Sequence, residues 1–165
     1  REKNGKKLIV KWLTYPSRQE LPLLAESAQS TLKDIGIEVD INNTADNNQV
    51  VKDPKKWDVY AMANVQAPTG DPEYWFTVFA AGNATKNQGR YQSAKLDALE
   101  AQLSREFDPA KRAALALQMQ QTVLDDHAFV FCSFLKMSMI SKANVKNYTS
   151  HACDYYQVTA DLDVQ

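Results

Sequence analysis

The sequence predicts an α/β fold in which helices flank a mixed sheet, and three patterns support this prediction. Residues 8–13 and 37–41 each carry a strand pattern, and an amphipathic helical pattern separates them. A third apolar run follows at 57–65, and two further helical patterns come after it. Two strands joined through a helix within about 35 residues form a crossover, which implies parallel pairing and a right-handed connection.

The first three elements are predicted from local spacing. Residues 8–13 (LIVKWL) are apolar and partly β-branched, which favours a strand. Apolar residues then recur at helical spacing over 21–35, where Pro22 is tolerated in the first turn and Gly36 suits the end of the helix. Residues 37–41 alternate between apolar and acidic side chains, which predicts a strand with one face in water.

The rest of the chain predicts helices followed by strands. Asp108 and Pro109 form a typical helix start, because Asp caps the free N–H groups and Pro fits the first helical position. The predicted elements are a loop or short helix over 42–54, a strand over 57–65, a polar loop over 80–89, a helix after Tyr91 to Phe107, a helix from Asp108 to about His127, a buried strand over 129–140, and strands at 145–148 and 155–158.

Composition limits the class of protein. The chain has 165 residues, 44% hydrophobic and 24% charged, which predicts one domain over 1–165 with a sizeable core. The net charge of −1, with Lys and Arg spread along the chain, argues against a nucleic-acid-binding surface. No run of 18 apolar residues occurs, so no transmembrane helix is predicted. The charged segment 1–7 is interpreted as a flexible cut end of a longer protein.

The cysteines and histidines predict no metal site. Cys132 and Cys153 leave two alternatives open, a disulfide or two buried thiols, and the thiols are favoured. His127 and His151 are isolated in the sequence and are interpreted as surface or core histidines. The sequence contains no CxxC and no HExxH motif.

No pattern in the chain predicts catalysis. Ser, His and Asp residues occur without a context that marks a nucleophile and its base, and the five glycines form no phosphate-binding loop. The neighbouring carboxylates Asp125 and Asp126 point about 100° apart on a helix, so they do not form a catalytic pair. We therefore expect a protein that is not an enzyme and that needs no cofactor.

The segment 66–76, which reads QAPTGDPEYWF, carries the main candidate site. Gly70 supplies a positive φ in a turn, Asp71 can cap the helix that follows, and Pro72 suits the first position of that helix. These three residues are therefore interpreted as structural. The aromatic residues 74–76 fall on successive faces of the helix and cannot all enter one core. At least one of these rings should face outward or toward a cleft.

The candidate ligand contacts lie in this segment and just beyond it. The segment follows a predicted strand, and ligands of open α/β sheets bind at the carboxyl ends of strands. Arg90 is included because a guanidinium pairs well with a ligand carboxylate, although an exposed surface arginine is the alternative. The candidate ligand-binding residues are Gln66, Thr69, Tyr74, Trp75, Arg90 and Tyr91.

Four motifs in order resemble one protein family. The chain resembles the C-terminal lobe of the extracellular solute-binding proteins of peptide and nickel ABC importers, known as family 5. The resemblance covers about residues 6–150. The motifs are LLAE through LKDIGIEV at 23–39, WDV through GDPE at 57–73, the Asn87 to Leu99 stretch with its Tyr91, and DPAKR through QQTVLDD at 108–126.

This resemblance implies a function and partners. The family has a two-lobed periplasmic-binding-protein-like (type II) fold that closes over a small solute, a peptide or chelated nickel, and delivers it to a membrane permease. Its members are extracellular or periplasmic, and many are tethered by lipid. The chain is then one lobe, its partner is the N-terminal lobe of the same protein, and we expect half a cleft to bind weakly.

Two departures from the family pattern concern the ligand. Peptide binders of the family carry an Asp four residues before the turn proline, where this chain has Pro68. Nickel-binding members carry a His about a dozen residues after the turn, where this chain has residues 82–85, GNAT. The resemblance therefore favours neither a free peptide nor direct histidine ligation. A metal that arrives already chelated fits, and the turn sequence is closer to the nickel-type branch.

Two other hypotheses come from different functional classes. An α/β enzyme would need a titratable group near the strand ends, and the sequence offers only Asp71 there. A protein-interaction module would use exposed Trp75 and Phe79 to contact a partner domain.

Overall fold

The computed structural model describes residues 1–3, 5–151 and 157–165. The chain forms two compact units, residues 1–64 and 65–165. Each unit is described by itself, and a single domain over 1–165 stays a prediction.

Residues 1–3 and 5–64 of the first unit form five strands and two helices. A short antiparallel pair joins β1 to β2, with Glu2 opposite Lys7. Residues 2–3 and 6–7 are therefore paired strands, and the prediction of a flexible lead is wrong; Gly5 between them takes φ +72°, which favours glycine. The elements are β1 (Glu2–Lys3), β2 (Lys6–Lys7), β3 (Ile9–Thr14), α1 (Glu20–Asp34), β4 (Glu38–Asn43), α2 (Asn47–Val50) and β5 (Val59–Tyr60).

A three-stranded parallel sheet forms the centre of the first unit. Its strand order is β4–β3–β5, so β3 lies in the middle. Ile9 pairs with Glu38 and Leu13 pairs with Tyr60, both in parallel register. The apolar face of α1 covers the sheet, and Leu13 and Ala25 have no exposed surface. The predicted strand–helix–strand crossover over residues 8–41 is confirmed.

Gly36 ends α1 as the sequence predicts. Its φ is +76°, and the N–H groups of Gly36 and Ile37 donate to the carbonyls of Lys33 and Leu32 at 2.9 Å each. These bonds satisfy carbonyls that the helix leaves free. A side chain at Gly36 would place its Cβ 2.8 Å from the backbone nitrogen of Arg1.

The second unit is mainly helical. Asp108 caps α5 by accepting from the N–H of Lys111 at 3.0 Å, with Pro109 in the first helical position, as predicted. The core is apolar and centred on Phe79, Leu96 and Met119. The elements are α3 (Glu73–Trp75), a π-helical segment (Phe76–Ala80), α4 (Ala94–Leu103), α5 (Pro109–Asp125), and the antiparallel pair β6 (Val145–Lys146) and β7 (Asp163–Val164).

The predicted buried strand over 129–140 is wrong. This stretch is irregular, and its apolar side chains are largely exposed, with Val130 85% and Ile140 92% accessible. A strand needs a neighbour to satisfy its N–H and C=O groups, and no strand of the described residues pairs with this stretch. Its apolar composition indicates a strand, but the pattern carries no information about the pairing partner.

The strand predicted over 57–65 is shorter than expected. Only Val59 and Tyr60 form β5. The backbone N–H of Ala63 donates to the Tyr15 hydroxyl at 3.1 Å, so a side chain takes the place of a strand partner there. A side chain also takes the place of a backbone partner just before β5, where the Asp58 carboxylate accepts from the N–H of Lys11 at 2.8 Å.

The remaining strand predictions have mixed outcomes. The strand expected at 145–148 is confined to Val145–Lys146. Of the strand expected at 155–158, residues 155–156 lie outside the described residues and 157–158 are irregular. Strand β7 was not predicted, because two residues are too few to show a periodic pattern.

Cysteine burial also differs from expectation. Cys132 is exposed instead of buried, because it lies in the irregular stretch after α5. Cys153 lies outside the described residues, so the disulfide alternative stays a prediction.

The α/β class is confirmed, with parallel and antiparallel pairing in separate sheets. None of the helices in the described ranges is both long and apolar enough to cross a membrane.

Candidate functional site

The segment 66–76 opens with a tight turn. The N–H of Gly70 donates to the carbonyl of Ala67 at 3.0 Å, with Pro68 in the position where its fixed φ suits a turn. Gly70 has φ +81°, as predicted, and a Cβ there would meet nothing within 4 Å. The backbone angle, rather than space, is therefore what favours glycine.

Asp71 connects the turn to α3. Its Oδ1 accepts from the N–H of Glu73 at 2.9 Å, a local bond that closes the turn before the helix. Helix α3 begins at Glu73, Pro72 is its N-cap residue, and no side chain caps it. The predictions that Asp71 is the N-cap and that Pro72 is the first helical residue are therefore wrong by one position.

Arg112 binds this turn to the neighbouring helices. Its guanidinium donates to Asp71 Oδ1 and Oδ2 at 2.8 Å and to Glu73 Oε2 at 2.6 Å. It also donates to the backbone carbonyls of Leu103 at 2.8 Å and Glu106 at 2.7 Å. We call these five residues the Arg112 cluster. One cation thus fixes the turn, the end of α4 and the start of α5 relative to one another.

The pKa values of Asp71 and Arg112 shift in the directions that favour the ion pair. The Arg112 guanidinium, through its hydrogen bonds, holds the pKa of Asp71 below its ordinary value, and partial burial opposes this effect. The same bonds to Asp71 and Glu73 raise the pKa of Arg112. Both groups therefore stay ionised at neutral pH.

Sequence reasoning named Asp71 only as a cap and missed Arg112 as its partner. A signal was present, since Arg112 lies in the first turns of α5, where the helix dipole disfavours a cation. An arginine in that position therefore predicts carboxylates close enough to offset the unfavourable interaction with the dipole. The spacing of 41 residues from Asp71 gave no local pattern.

Trp75 is more buried than a cleft-lining ring would be. It is 8% exposed and lies at the centre of an aromatic cluster. The ring centroid of Trp75 lies 5.2 Å from that of Phe129, 5.3 Å from that of Phe76, 5.4 Å from that of Phe131 and 6.4 Å from that of Phe79. Packing of this kind fixes the ring against the core of the second unit.

Of the aromatic residues 74–76, Tyr74 is the one that remains partly exposed. Trp75 and Phe76 are buried, whereas Tyr74 is half-buried, with its ring centroid 6.4 Å from that of Phe79 in an edge-to-face arrangement. The expectation that successive aromatic residues cannot all enter one core is confirmed.

Two polar side chains of the turn have spare hydrogen-bonding capacity. Gln66 is half-buried and Thr69 is exposed, and neither side chain has a hydrogen-bond partner within the described ranges. Thr69 borders a pocket whose lining also includes Asp71, Pro109 and Arg112. These side chains can bond a ligand without breaking an internal contact.

Arg90 and Tyr91 occupy a second loop, residues 81–91. The Asn87 side chain fixes it, donating to the carbonyls of Tyr91 at 2.7 Å and Ala81 at 3.2 Å and accepting from the N–H of Tyr91 at 2.9 Å. We call this the Asn87 loop. Arg90 is exposed with φ +53°, and no described residue accepts a hydrogen bond from its guanidinium.

Tyr91 is already engaged inside the second unit. Its hydroxyl donates to Asp126, and its ring lies 6.2 Å from Phe129. Burial and the bond to Asp126 both raise the pKa of Tyr91. Phe129 thus brings Tyr91 and Trp75 against one ring, whereas no hydrogen bond or ring contact of the described residues joins Arg90 to the other candidates.

No three His, Cys, Asp or Glu side chains are grouped closely enough to hold a metal ion in residues 1–3, 5–151 and 157–165. His127 is exposed, with Nδ1 2.8 Å from the carbonyl of Leu124.

Comparison with known proteins gives relatives in sequence and in fold. No protein-family model matches the chain. The chain is 28% identical over 141 residues to the nickel-binding protein NikA of Staphylococcus aureus, covering 86% of the chain and 29% of NikA. It thus spans less than a third of that relative.

Solved structures give the same picture. The structure of Staphylococcus aureus NikA in complex with Ni(L-His)2 matches 96% of the chain with a TM-score of 0.78 and 23% identity, over 34% of its own length. A nickel ABC transporter structure from Bacillus halodurans matches 99% with a TM-score of 0.73 and 29% identity, over 34% of its length.

A peptide-binding structure has the same fold. The oligopeptide-binding protein AppA of Bacillus subtilis, in complex with a nonapeptide, matches 77% of the chain with a TM-score of 0.63 and 22% identity, over 26% of its length. These neighbours are named as binding or transport proteins, not as enzymes. The resemblance predicted from the sequence is confirmed: the chain is similar, in sequence and in fold, to part of the nickel- and peptide-type solute-binding proteins of ABC transporters.

Proposed function

We propose that this chain is the C-terminal ligand-binding lobe, over 1–165, of a larger solute-binding protein that supplies an ABC importer. The observation that carries the proposal is the match to Staphylococcus aureus NikA, which covers 96% of the chain at a TM-score of 0.78. In this proposal the protein binds a peptide or chelated nickel and delivers it to a membrane permease. It acts outside the cytoplasm, at the cell surface or in the periplasm, and a lipid tether holds it at the membrane.

Chelated nickel is the preferred cargo. Pro68 replaces the carboxylate that anchors a peptide amine in the family, and residues 82–85 contain no histidine. A chelator that brings its own metal ligands asks the protein only for polar and aromatic contacts. The spare hydrogen-bonding groups of Gln66 and Thr69 support this preference.

The proposed ligand contacts differ in how they can act. Gln66, Thr69 and Tyr74 offer accessible groups directly, and the Arg112 cluster holds their segment in place. Arg90 offers a guanidinium for a ligand carboxylate. Trp75 and Tyr91 contribute through the edges of rings that are already packed.

The partner lobe in this proposal covers the apolar stretch 128–142. Val130 is 85% exposed, Phe134 78% and Ile140 92%, which is unusual for a run of this composition. Since the chain spans 29% of NikA, the remaining sequence of the same protein is the proposed occupant.

Native mass spectrometry of the complete protein, purified from its own host without refolding, tests the proposal. We expect an added mass that leaves on denaturation and matches nickel with a small chelator, or a peptide. If no added mass appears, even after addition of nickel with L-histidine and of a mixed peptide pool, the transport function is contradicted.

A further inference from the structure

The parallel sheet of the first unit contains a topological switch point. The chain passes from β3 through α1 to β4 on one side of β3, and then returns to β5 on the other side of β3. Crossovers of this kind are right-handed, so connections on the two sides of β3 belong on opposite faces of the sheet, and the carboxyl ends of β3 and β5 form the switch point. In open α/β sheets, ligands bind at this position.

Two tyrosines mark these strand ends. Tyr15 directly follows β3, and Tyr60 is the last residue of β5. Their ring centroids are 6.3 Å apart with an interplanar angle of 52°, and both residues are half-buried. We call them the phenol pair. Neither residue belongs to the candidate site of the 66–76 segment.

The hydroxyl groups of the phenol pair accept hydrogen bonds but donate none to the described residues. Tyr15 Oη accepts from the N–H of Ala63 at 3.1 Å, and Tyr60 Oη accepts from Asn47 Nδ2 at 2.8 Å. A phenol also carries one O–H donor, and no described residue accepts either proton. At the same edge, the buried Thr14 hydroxyl has no hydrogen-bond partner in the described part of the chain.

The phenol pair is fixed in position before any ligand arrives. Asn47 is 8% exposed, so its amide is held by packing while it donates to Tyr60. Trp57 lies 6.0 Å from the Tyr60 ring, and its indole N–H donates to the carbonyl of Val51 at 3.1 Å. Burial raises the pKa of Tyr60, so its hydroxyl remains a donor at neutral pH.

We propose that Tyr15 and Tyr60 form a binding site for a ligand carboxylate at the switch point of the first unit. Two preorganised O–H donors suit the two oxygens of one carboxylate, and bonds to an ionised acceptor are the stronger kind. This inference rests on the proposed solute-binding function. Both L-histidine in a nickel chelate and the end of a peptide carry a carboxylate, so the site serves either source.

The test uses the complete protein and probes that differ only in the carboxylate. Titration calorimetry measures nickel with L-histidine against nickel with L-histidinamide, and trialanine against its C-terminal amide. The double variant Tyr15→Phe/Tyr60→Phe keeps both rings and removes both donors. We expect about tenfold weaker binding of the carboxylate form, and less than about a twofold change for the amide form. The probe pair that binds identifies the source of the carboxylate.

The control is Tyr148→Phe, which removes a phenol hydroxyl that donates to Gln157 at 2.6 Å in the second unit. This variant should bind both forms as the unmodified protein does. If the double variant does not fold, Tyr60→Phe alone gives the test, since it keeps the bond between Tyr15 and Ala63.

The outcomes separate two failures. Unchanged affinity of the double variant, or equal loss for acid and amide forms, overturns the carboxylate site and leaves the solute-binding function intact. An unmodified protein that binds none of the four probes overturns the proposed function, and this site with it.

Discussion

Two loops of the second unit are each held by one side chain, but with different chemistry. The turn at 66–73 is bound by the Arg112 guanidinium through ionised partners. The Asn87 loop is bound by a neutral amide through three hydrogen bonds to backbone groups. Arg112 lies 41 residues from Asp71, whereas Asn87 bonds residues four and six positions away.

The two loops differ in how far along the sequence their contacts reach and in whether those contacts are charged. A local amide bond holds a loop to itself and does not depend on pH over the range in which proteins are stable. A long-range charged cluster instead fixes a loop relative to two helices, at the cost of dependence on pH. The turn that carries Gln66 and Thr69 is therefore the one whose geometry depends on the rest of the unit.

The largest effect is expected from Arg112→Met, which keeps the aliphatic stem and removes the guanidinium. Asp71 and Glu73 then lose their counter-charge, and the carbonyls of Leu103 and Glu106 lose a donor. We expect Tm to fall by about 10 °C in a thermal melt, because carboxylates left without their counter-charge cost more than lost neutral hydrogen bonds. Arg105→Met is the control, because Arg105 is exposed and only its backbone makes a hydrogen bond in the described residues. Equal Tm values for the two variants would show that the Arg112 cluster does not stabilise the protein.

A smaller loss is expected from Asn87→Ala. Three hydrogen bonds of a half-buried amide disappear, which should cost about 2 kcal/mol in the free energy of unfolding. Urea denaturation measures this loss. Asn83→Ala is the matched control, since Asn83 is exposed and makes no hydrogen bond among the described residues. A loss as large as that of Arg112→Met would contradict the contrast between the two loops.

Acid should weaken the Arg112 cluster and leave the Asn87 loop unchanged. The folded pKa of Asp71 lies below its ordinary value of 3.8. The stabilisation is therefore present above pH 3.8 and is lost as pH falls through the lower folded value. We expect the Tm difference between the unmodified protein and Asp71→Asn to be large at pH 7 and to shrink below pH 4. The Tm difference between the unmodified protein and Asn87→Ala should stay constant over the same pH range. If that difference also shrinks below pH 4, the proposed contrast between the two loops is wrong.

The smallest effect is expected from Glu73→Gln. The amide oxygen can still accept from Arg112, and Asp71 retains the bidentate pairing. Partly exposed ion pairs contribute little, so Tm should change by about 2 °C. Melting curves at low and high salt check this, and a loss equal to that of Asp71→Asn would show that Glu73 is the main partner of Arg112.

Local patterns predicted the elements whose causes are local. The crossover from residue 8 to 41, the end of α1 at Gly36 and the start of α5 at Asp108 all follow from spacing and caps. The positive φ of Gly70 is also a local requirement.

Long-range contacts account for what the sequence did not predict. The stretch 129–140 has a strand composition but no strand partner among the described residues, and Arg112 contacts Asp71 across 41 residues of sequence. Three adjoining aromatic residues predict that a ring such as Trp75 faces a cleft, and only the packing of Phe129 and Phe131 shows how deeply Trp75 is buried.

The most direct test of the central claim is titration calorimetry of the complete protein with nickel and L-histidine, comparing the unmodified protein with Gln66→Ala/Thr69→Ala. Both side chains lack hydrogen-bond partners among the described residues, so the double variant should keep its Tm. The account predicts binding by the unmodified protein and at least about tenfold weaker binding by the variant. Equal affinity of the two proteins would contradict the assignment of the 66–76 segment to the ligand.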